Sequence, residues 1–251
     1  MTRIILSGCN GKMGRTITAC VADRQDCEIV AGFDINQTQN AYPVFANPAD
    51  CTAQADVIID FSHPAMLDGV LRYAKAKNMP VVIATTGLSE AQLSDIQTAT
   101  AEIPVFSSAN MSLGVSLLAA LAKKAAAVLG DSFDVEIIEK HHNQKIDAPS
   151  GTALMLAEAV KEGLPYSPTY VFDRHAVREK RRHEEIGFSS IRGGTIVGEH
   201  DVLFAGHDEC ITLSHTATSK GIFANGALNA ALFLVGKPAG YYTMQDLIVG
   251  I

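Results

Sequence analysis

The sequence predicts an α/β fold, in which an N-terminal Rossmann-like, doubly wound parallel sheet is followed by an α+β region with an open mixed sheet. Three observations lead to this prediction. Short strands alternate with helical stretches over the first 110 residues. These strands are continuously apolar, as strands are when helices cover both faces of a parallel sheet. After Asn110 the alternation stops, and several strands follow one another through short turns.

Five strands and three helices are predicted in the first region. Helices are expected at about residues 12–22 and 64–77, the second with a proline in its first turn, where proline is tolerated. A third should begin after Ser89, because Ser89 and Gln92 match a capping box. Ligands of such a fold lie at the carboxyl ends of the strands. The strands are predicted at Arg3–Leu6, Glu28–Phe33, Val57–Phe61, Pro80–Ala84 and Pro104–Phe106.

The second region is predicted to contain both helices and strands, and its short turns favour antiparallel pairing. A final helix is predicted at residues 221–235. The remaining helices are expected at about residues 116–129 and 152–161, and the strands at 134–139, 186–192, 195–205 and 209–217.

Composition excludes several classes of function. Apolar residues make up 47% of the 251 residues, enough for a sizeable core, but no apolar run reaches the roughly 18 residues that span a bilayer. No secretory signal is recognised at the N-terminus. The five cysteines are scattered without a CxxC pair, which favours reduced thiols in the cytoplasm and disfavours a zinc ribbon. A net charge of −7 disfavours nucleic acid as a partner.

The densest basic segment is residues 174–183, which contains four arginines, one lysine and two histidines. We expect either a solvated loop or a lid or subunit contact near an anionic ligand. Acidic neighbours at Glu184 and Glu185 weaken a nucleic-acid interpretation.

A glycine-rich loop lies between the first strand and the first helix. Its spacing is G-x-x-G-x-x-G, and about 20 residues later Asp34 ends the second strand, where a carboxylate can bind ribose hydroxyls. Glycines let a backbone approach a pyrophosphate, and the helix start supplies N–H groups. The alternative is an ordinary turn between strand and helix. The predicted dinucleotide-binding residues are Gly8, Cys9, Asn10, Gly11, Lys12, Met13, Gly14 and Asp34.

The cofactor is predicted to be NADH, NADPH or both. Asp34 favours NADH, because a carboxylate repels a 2′-phosphate, whereas the ammonium of Lys12 could pair with that phosphate. Ile35 and Asn36 follow Asp34, so no arginine stands there to bind a phosphate.

Two further loops follow the fourth and fifth strands and should face the nicotinamide. The alternative for each is a turn that is merely rich in small residues. The candidate residues are Ala84, Thr85 and Thr86 in the first loop, and Ser108, Ala109, Asn110 and Met111 in the second.

The loop from Glu139 to Ala153 crowds histidines, lysines and a helix start together. On an extended strand His141 and His142 point to opposite sides, so we expect them to differ in role, and adjacent histidines are poor joint zinc ligands. We therefore predict no metal.

The same loop predicts a site for a small anionic substrate. Ser150, Gly151 and Thr152 offer hydroxyls and helix-start N–H groups that suit a carboxylate. An imidazole or ammonium from the histidine and lysine cluster could deliver a proton. Beside a nicotinamide domain, this chemistry becomes reduction of a polarised double bond in a carboxylate-bearing substrate. The alternative is polar decoration of a loop.

The segment E-x-H-H-x-x-K-x-D-A-P-S-G-T-A at residues 139–153 resembles the signature of the dihydrodipicolinate (4-hydroxy-tetrahydrodipicolinate) reductase family. The resemblance covers essentially the whole chain. It includes residues 8–14, 84–87, 108–114, 191–194 and 223–227.

This resemblance implies a reductase of the diaminopimelate route to lysine, which uses NADH or NADPH and is usually a homotetramer. It implies that His141 and Lys145 are the proton-transferring residues, and that His142, Lys145, Gly151 and Thr152 contact the dicarboxylate substrate. It also implies a dinucleotide-binding domain at 1–111 and 221–251 and a substrate-binding and oligomerisation domain at 112–220. Lys12 and Ile35 stand where the family often has arginine, which bears on cofactor choice, and Ala84 stands where it often has glycine.

Two rival functions remain at this stage. One is a reductase or dehydrogenase of another small amino-acid precursor, such as a semialdehyde. The other is a regulatory protein that senses NAD(P)H without turnover. The presence of His141 and Lys145 disfavours the sensor, and the histidine loop disfavours the other enzyme.

Overall fold

The computed structural model describes residues 1–108, 110–175 and 177–249 and contains two compact units. The first unit comprises Met1–Leu113 together with the chain from Lys220 onward, and the second comprises Gly114–Ser219. Each unit has its own sheet and its own core.

A seven-stranded sheet, parallel throughout, forms the centre of the first unit. The strand order is β12-β6-β5-β4-β1-β2-β3. The chain begins at β1 near the middle, adds β2 and β3 on one side, and then crosses to add β4 on the other side, so the order of the strands reverses between β1 and β4. Such a reversal opens a crevice for a ligand at the carboxyl ends of the strands. The strands are β1 (Thr2–Ser7), β2 (Cys27–Phe33), β3 (Val44–Phe45), β4 (Val57–Asp60), β5 (Val81–Ile83), β6 (Pro104–Ser107) and β12 (Gly240–Tyr242).

Helices cover both faces of this sheet. Ile4 and Leu6 of β1 enter one apolar core, whereas Ile5 enters the other, and all three are fully buried. Burial on both faces explains why the strands are continuously apolar, as the sequence predicted. The helices are α1 (Lys12–Ala22), α2 (Leu67–Ala76), α3 (Glu90–Ala99), α6 (Gly221–Leu234) and α7 (Met244–Val249).

The second unit contains a five-stranded mixed sheet of order β11-β10-β7-β9-β8. β10 pairs antiparallel with β7 and β11, but β9 pairs parallel with β7 and β8. The expected antiparallel pairing is therefore present for β10 with β7 and β11 but not for β9, and the helix that follows β7 supplies the long connection that parallel strands require. The elements are α4 (Leu113–Leu129), β7 (Asp134–His141), α5 (Gly151–Gly163), β8 (Thr169–Val171), β9 (Glu185–Arg192), β10 (Gly198–Ala205) and β11 (Cys210–Ala217).

Strand β7 alternates strictly between half-buried and buried residues. Val135 and Ile137 pack with Leu156 and Val160 of α5 on the buried face. Because side chains of a strand alternate between faces, the next residues on this face, Glu139 and His141, are buried as well. The alternation therefore brings two polar side chains to one end of an apolar layer.

The elements that the sequence did not predict are all short: β3, β8, β12 and α7. β3 has two residues, β8 and β12 have three each and α7 has six, too few for a hydrophobic period to emerge. The capping box predicted at Ser89 is present, with Gln92 as its partner.

One stretch, Leu113–Ser132, is long and apolar enough to cross a membrane by length and composition alone. It contributes Leu118, Ala122 and Ala126 to the core of the second unit. Its Lys123 forms an ion pair with Glu162, with 2.7 Å between Nζ and Oε2. One such helix is weak support for a membrane span.

Candidate active site

The glycine loop lies where β1 and β4 end, at the reversal of the strand order. Gly8 has φ of +77°, and a Cβ on it would lie 2.6 Å from the carbonyl oxygen of Phe61. A Cβ on Gly14 would collide with the carbonyl oxygens of Gly8 and Cys9. Both positions therefore require glycine, the first for its conformation and both for space.

The start of α1 is suited to an anion. Its N-cap is Gly11, which has no side chain to cap the helix, and no acidic residue stands in the first turn. Unsatisfied N–H groups and the positive end of the helix dipole favour a phosphate at such a terminus. The residues present therefore fit the pyrophosphate of a dinucleotide.

Asp34 fixes the glycine loop as well as the turn after β2. Its Oδ2 accepts a hydrogen bond from the Asn10 backbone N–H (2.9 Å), and its Oδ1 accepts one from the Asn36 N–H (2.9 Å). The Asn10 side chain in turn donates to the carbonyl oxygen of Asn36 (2.5 Å). The carboxylate predicted to bind ribose thus also braces the loop predicted to bind the pyrophosphate.

The other loop residues differ in what they can offer a ligand. Cys9 is buried, with only 1% of its surface exposed, and burial raises the pKa of its thiol to about 11. Its side chain fills the space beside Gly32, so only its backbone can face a cofactor. Lys12 is exposed and Met13 half-buried, and Ile35 is 80% exposed.

The loop after β5 is anchored by a buried carboxylate. Asp60, at the end of β4, has no exposed surface, and its Oδ2 accepts a hydrogen bond from the Thr85 hydroxyl (2.7 Å). The hydroxyl of Thr85 therefore anchors the loop to β4, whereas Thr86 is exposed. Ala84 is buried and donates its N–H to the Asp60 carbonyl.

The loop after β6 is held by its own side chains. Ser108 donates its hydroxyl proton to the Asn110 carbonyl (2.8 Å), and the Asn110 side chain accepts from the Ser112 N–H (2.9 Å). Met111 is buried, and its carbonyl oxygen occupies the place of a side chain at Gly226. Ala109, also predicted to bind cofactor, lies outside the described residues.

In the second unit His141 lies beside a buried ion pair formed by Glu139 and Arg192. Glu139 and His141 lie on the same face of β7, and 2.5 Å separates the Glu139 Oε2 from the His141 Nδ1. Arg192, at the end of β9, donates two hydrogen bonds to the same carboxylate, at 2.8 and 2.7 Å. Glu139 is 1% exposed and His141 8%.

The surroundings lower the pKa of both Glu139 and His141, so both groups favour their deprotonated forms. Burial alone would raise the pKa of Glu139, but hydrogen bonds from Arg192, Ser190 and His141 outweigh it and lower that pKa to about 2. Burial lowers the pKa of His141, and Glu139 offsets this only in part. Glu139 is therefore a carboxylate at neutral pH, beside an imidazole that accepts a proton less readily than in water.

Ser150 caps the N-terminus of α5. Its hydroxyl oxygen accepts from the Ala153 N–H (3.1 Å) and lies 3.0 Å from His200 Nε2. Its backbone N–H donates to Glu139 Oε1 (3.3 Å). His200, on β10, is 4% exposed, and burial, with a smaller contribution from His141, lowers its pKa to about 4.

The remaining predicted site residues lie around the loop after β7. Lys145 forms an ion pair with Asp147, with 2.8 Å between Nζ and Oδ1, and its side chain is 21% exposed. Gly151 is exposed, with no atom of the described part of the chain within 4 Å of where a Cβ would stand, and Thr152 follows it in the first turn of α5. His142 is half-buried, unlike the buried His141. The two histidines thus have different surroundings.

Sequence reasoning assigned no role to Glu139, Arg192 or His200. Arg192 and His200 stand on other strands, far along the chain from Glu139, and only the strand register brings the three together. The one local signal was the spacing of two between Glu139 and His141, which places both on one face of a strand.

Within the described residues, no group of three or more His, Cys, Asp or Glu side chains is arranged to hold a metal ion. In the basic segment, Arg174 forms ion pairs with Glu136 and Glu185, and Arg181 forms them with Glu136 and Asp134. These two arginines are therefore paired with carboxylates of the second unit itself.

Comparison with known proteins gives consistent results over the whole chain. Sequence models of dihydrodipicolinate reductase match it, the N-terminus over residues 2–111 and the C-terminus over residues 114–248. The 4-hydroxy-tetrahydrodipicolinate reductase of Caldanaerobacter subterraneus subsp. tengcongensis is 50% identical over 248 residues, 99% of this chain and 98% of the relative. That of Clostridium tetani is 49% identical over 249 residues, 99% and 97% of the two chains.

A similar fold occurs in a solved structure, the dipicolinate-bound dihydrodipicolinate reductase from Paenisporosarcina sp. TG-14. It is 26% identical, has a TM-score of 0.80 and covers 99% of both chains.

Proposed function

Because the chain belongs to the dihydrodipicolinate reductase family, we propose that its two units divide the tasks of a single NAD(P)H-dependent reduction. The reaction reduces 4-hydroxy-tetrahydrodipicolinate to tetrahydrodipicolinate in the diaminopimelate route to lysine. A hydride and a proton enter the substrate, and water leaves. NAD(P)H supplies the hydride when it is bound.

The dinucleotide-binding domain predicted at residues 1–111 and 221–251, which falls within the first unit, is proposed to hold the cofactor. The glycine loop and the uncapped start of α1 would bind the pyrophosphate, and Asp34 or Lys12 would face the adenosine ribose. The loops after β5 and β6 would face the nicotinamide, with exposed Thr86 and the backbone around Asn110 as the contacting groups. This assignment is supported by the crowded glycines at the reversal of the strand order.

The substrate-binding domain predicted at residues 112–220, which contains the second unit, is proposed to bind the substrate carboxylates. His142, Lys145 and the first-turn N–H groups of Gly151 and Thr152 supply positive charge and donors. Ser150 would act through the helix cap rather than through its hydroxyl, which already serves Ala153 and His200.

The proton is proposed to pass through His141 or Lys145. The observation that carries this proposal is the buried Glu139 carboxylate 2.5 Å from His141 Nδ1, an arrangement that holds an imidazole in one orientation. Lys145 would hold a substrate carboxylate and could deliver a proton itself.

A coupled assay tests these roles. Pyruvate and aspartate semialdehyde would be condensed by a synthase, and oxidation of NADH and of NADPH followed separately. His141→Gln and Lys145→Ala should each lower kcat about 100-fold or more while the Kd for NADH changes little. The exposed His207, whose side chain is 95% exposed, provides the matched control His207→Gln, which should keep wild-type kcat.

The outcomes separate the rival functions. Wild-type kcat in both site variants would refute the proton-transfer roles. NAD(P)H binding without oxidation that depends on the condensation product would favour a sensor, and oxidation with only another precursor would favour the other enzyme.

We also propose a cytoplasmic homotetramer whose partner in catalysis is a small dicarboxylate, with no nucleic-acid or membrane partner. The support for assembly is the second face of the five-stranded sheet, where Ile191 is 46% exposed and Ser189, two residues before it on the same face of β9, is exposed too. All five cysteines are free thiols, which suits a reducing compartment. Light scattering after size exclusion should give the mass of four chains, and a monomer mass would contradict the proposal.

A further inference from the structure

We infer that Glu139, held by Arg192, is a positioning residue that keeps a proton on His141 Nδ1 and leaves Nε2 as the atom that exchanges a proton with the substrate. The inference rests on the proposed role of His141. It assigns a function to a buried ion pair that neither substrate nor cofactor binding explains.

The hydrogen bonds of Glu139 determine which nitrogen of His141 carries a proton. Both of its carboxylate oxygens are engaged: Arg192 donates to each, and the Ser150 N–H adds a third donor at Oε1. An ionised carboxylate can only accept hydrogen bonds. At 2.5 Å, His141 Nδ1 must therefore carry the proton between them. Neutral His141 then has its lone pair on Nε2, and charged His141 has its transferable proton there.

Gly198 leaves the space at His141 Nε2 free of a side chain of its own. A Cβ built on Gly198, the first residue of β10, would lie 3.1 Å from His141 Nε2 and 3.5 Å from Cδ2. Any larger residue there would press on the atom that must exchange the proton. Gly198 is not among the described glycines with a positive φ, so space rather than backbone conformation explains glycine at this position.

Charged and titratable groups on three strands and a loop face His141. Glu139 on the same strand favours the charged imidazole, whereas Arg192 on β9 and Lys145 in the following loop disfavour it. His200 on β10 packs edge-on against the ring, with 5.1 Å between centroids, and burial keeps it neutral near pH 7. Glu139 is thus the one group among these that supports protonation, and its loss should lower the pKa of His141.

Arg192, which holds Glu139, is itself held by backbone carbonyl groups. Arg192 also donates from Nη2 to the Asp147 carbonyl (2.6 Å) and from Nη1 to the Ile191 carbonyl (2.8 Å). These bonds fix the guanidinium, and the two-pronged pairing fixes the plane of the carboxylate. The imidazole orientation is therefore set by a chain of contacts from β9 through Glu139.

The kinetic test is Glu139→Gln, which keeps the volume of the side chain but removes its charge. We expect kcat at pH 7 to fall about 10- to 100-fold, with the KM for NADH within about twofold of wild type. The pKa seen in the kcat profile should move to lower pH. Glu162→Gln, which removes an exposed carboxylate of α5 that pairs with Lys123, is the matched control and should leave the profile unchanged.

A spectroscopic test uses the wild-type protein and does not depend on a variant that folds. Nitrogen-15 spectra of histidine-labelled protein, with the His141 signal identified by its absence in His141→Gln, report which ring nitrogen carries the proton. The Nδ1–H tautomer at pH 8 is expected. The Nε2–H tautomer would overturn the inference, whatever Glu139→Gln does.

The outcomes distinguish the inference from the proposed function. Full activity of His141→Gln would refute the role of His141 and this inference with it. An inactive His141→Gln beside a folded Glu139→Gln with the wild-type pH profile would overturn the positioning role alone. Gly198→Ala gives an independent check: kcat should fall while the Nδ1–H tautomer is retained, and wild-type kcat would refute the argument from space at Nε2.

Discussion

A single methyl group added at Gly8 should damage the cofactor-binding unit in two ways, through backbone conformation and through crowding. Its φ is +77°, and a Cβ would lie 2.6 Å from the Phe61 carbonyl oxygen and 2.9 Å from the Ser62 Cα. Both neighbours are backbone atoms at the end of β4, so neither can move aside as a flexible side chain would. Gly87 provides a matched control, because its φ is +74° but no atom of the described residues lies within 4 Å of the place that a Cβ would take.

The two substitutions separate conformational strain from crowding. The left-handed conformation costs a residue other than glycine about 1–2 kcal/mol, which is the whole expected effect of Gly87→Ala. Gly8→Ala adds the cost of overpacking, about 1–3 kcal/mol, for a total of about 2–5 kcal/mol. The difference between the variants should therefore be at least about 1 kcal/mol.

Urea unfolding of the wild type and both variants, followed by circular dichroism, would measure these costs at unchanged m-value. Because the chain has two compact units, the transition that NADH shifts to higher urea is the one to compare. The Kd for NADH should also rise in Gly8→Ala, since the loop must shift away from the helix start. Equal destabilisation by the two substitutions would refute the reasoning from crowding.

Further predictions concern Asp34, Lys12 and His200. Asp34→Ala should raise the KM for both NADH and NADPH about tenfold, because the carboxylate braces Asn10 and Asn36; a change confined to NADH would show that it acts on the ribose alone. Lys12→Ala should raise the KM for NADPH about tenfold and that for NADH hardly at all, and equal changes would remove Lys12 from 2′-phosphate recognition. His200 has a folded pKa of about 4, below its unfolded value of about 6.5. The unfolded chain therefore takes up the proton first as the pH falls, and the free energy of unfolding should drop by up to about 3 kcal/mol between pH 6.5 and 4. Urea midpoints measured across this pH range would give the drop in the free energy of unfolding, and this drop should be smaller in His200→Gln. The same dependence on pH in His200→Gln as in the wild type would contradict the role given to His200.

The sequence predicted the long elements well because each carries its own local signal. The capping box at Ser89 begins a helix where it was expected, and continuously apolar strands proved to be buried on both faces. β3 and β12, at the two edges of the sheet, hold too few residues for a pattern and owe their existence to neighbouring strands. Their pairing is a property of the fold rather than of their own residues.

The candidate site residues were predictable only where several functional groups lie close together in the sequence. The loop from Glu139 to Ala153 brings histidine, lysine and helix start together in one segment, so these groups could be named without a structure. The bidentate partner of Glu139 stands on another strand, and nothing near Arg192 in the sequence indicates a buried carboxylate. The same holds for His200, which the antiparallel register places opposite Glu139.

The two units hold their functional groups by different physical means, and mutations should therefore act differently on them. At Gly8 and Gly14 any side chain collides with backbone, so the chemistry of the substituent should matter little and cofactor binding should be lost with stability. At Glu139 the volume can be kept while the charge is removed, so glutamine and alanine should differ. Removing one member of a buried ion pair leaves the charge of Arg192 uncompensated, which costs about 3–5 kcal/mol. Restoring neutrality with a second change, Arg192→Gln, should therefore recover stability in Glu139→Gln but not its pH profile, because the carboxylate that orients His141 would still be missing.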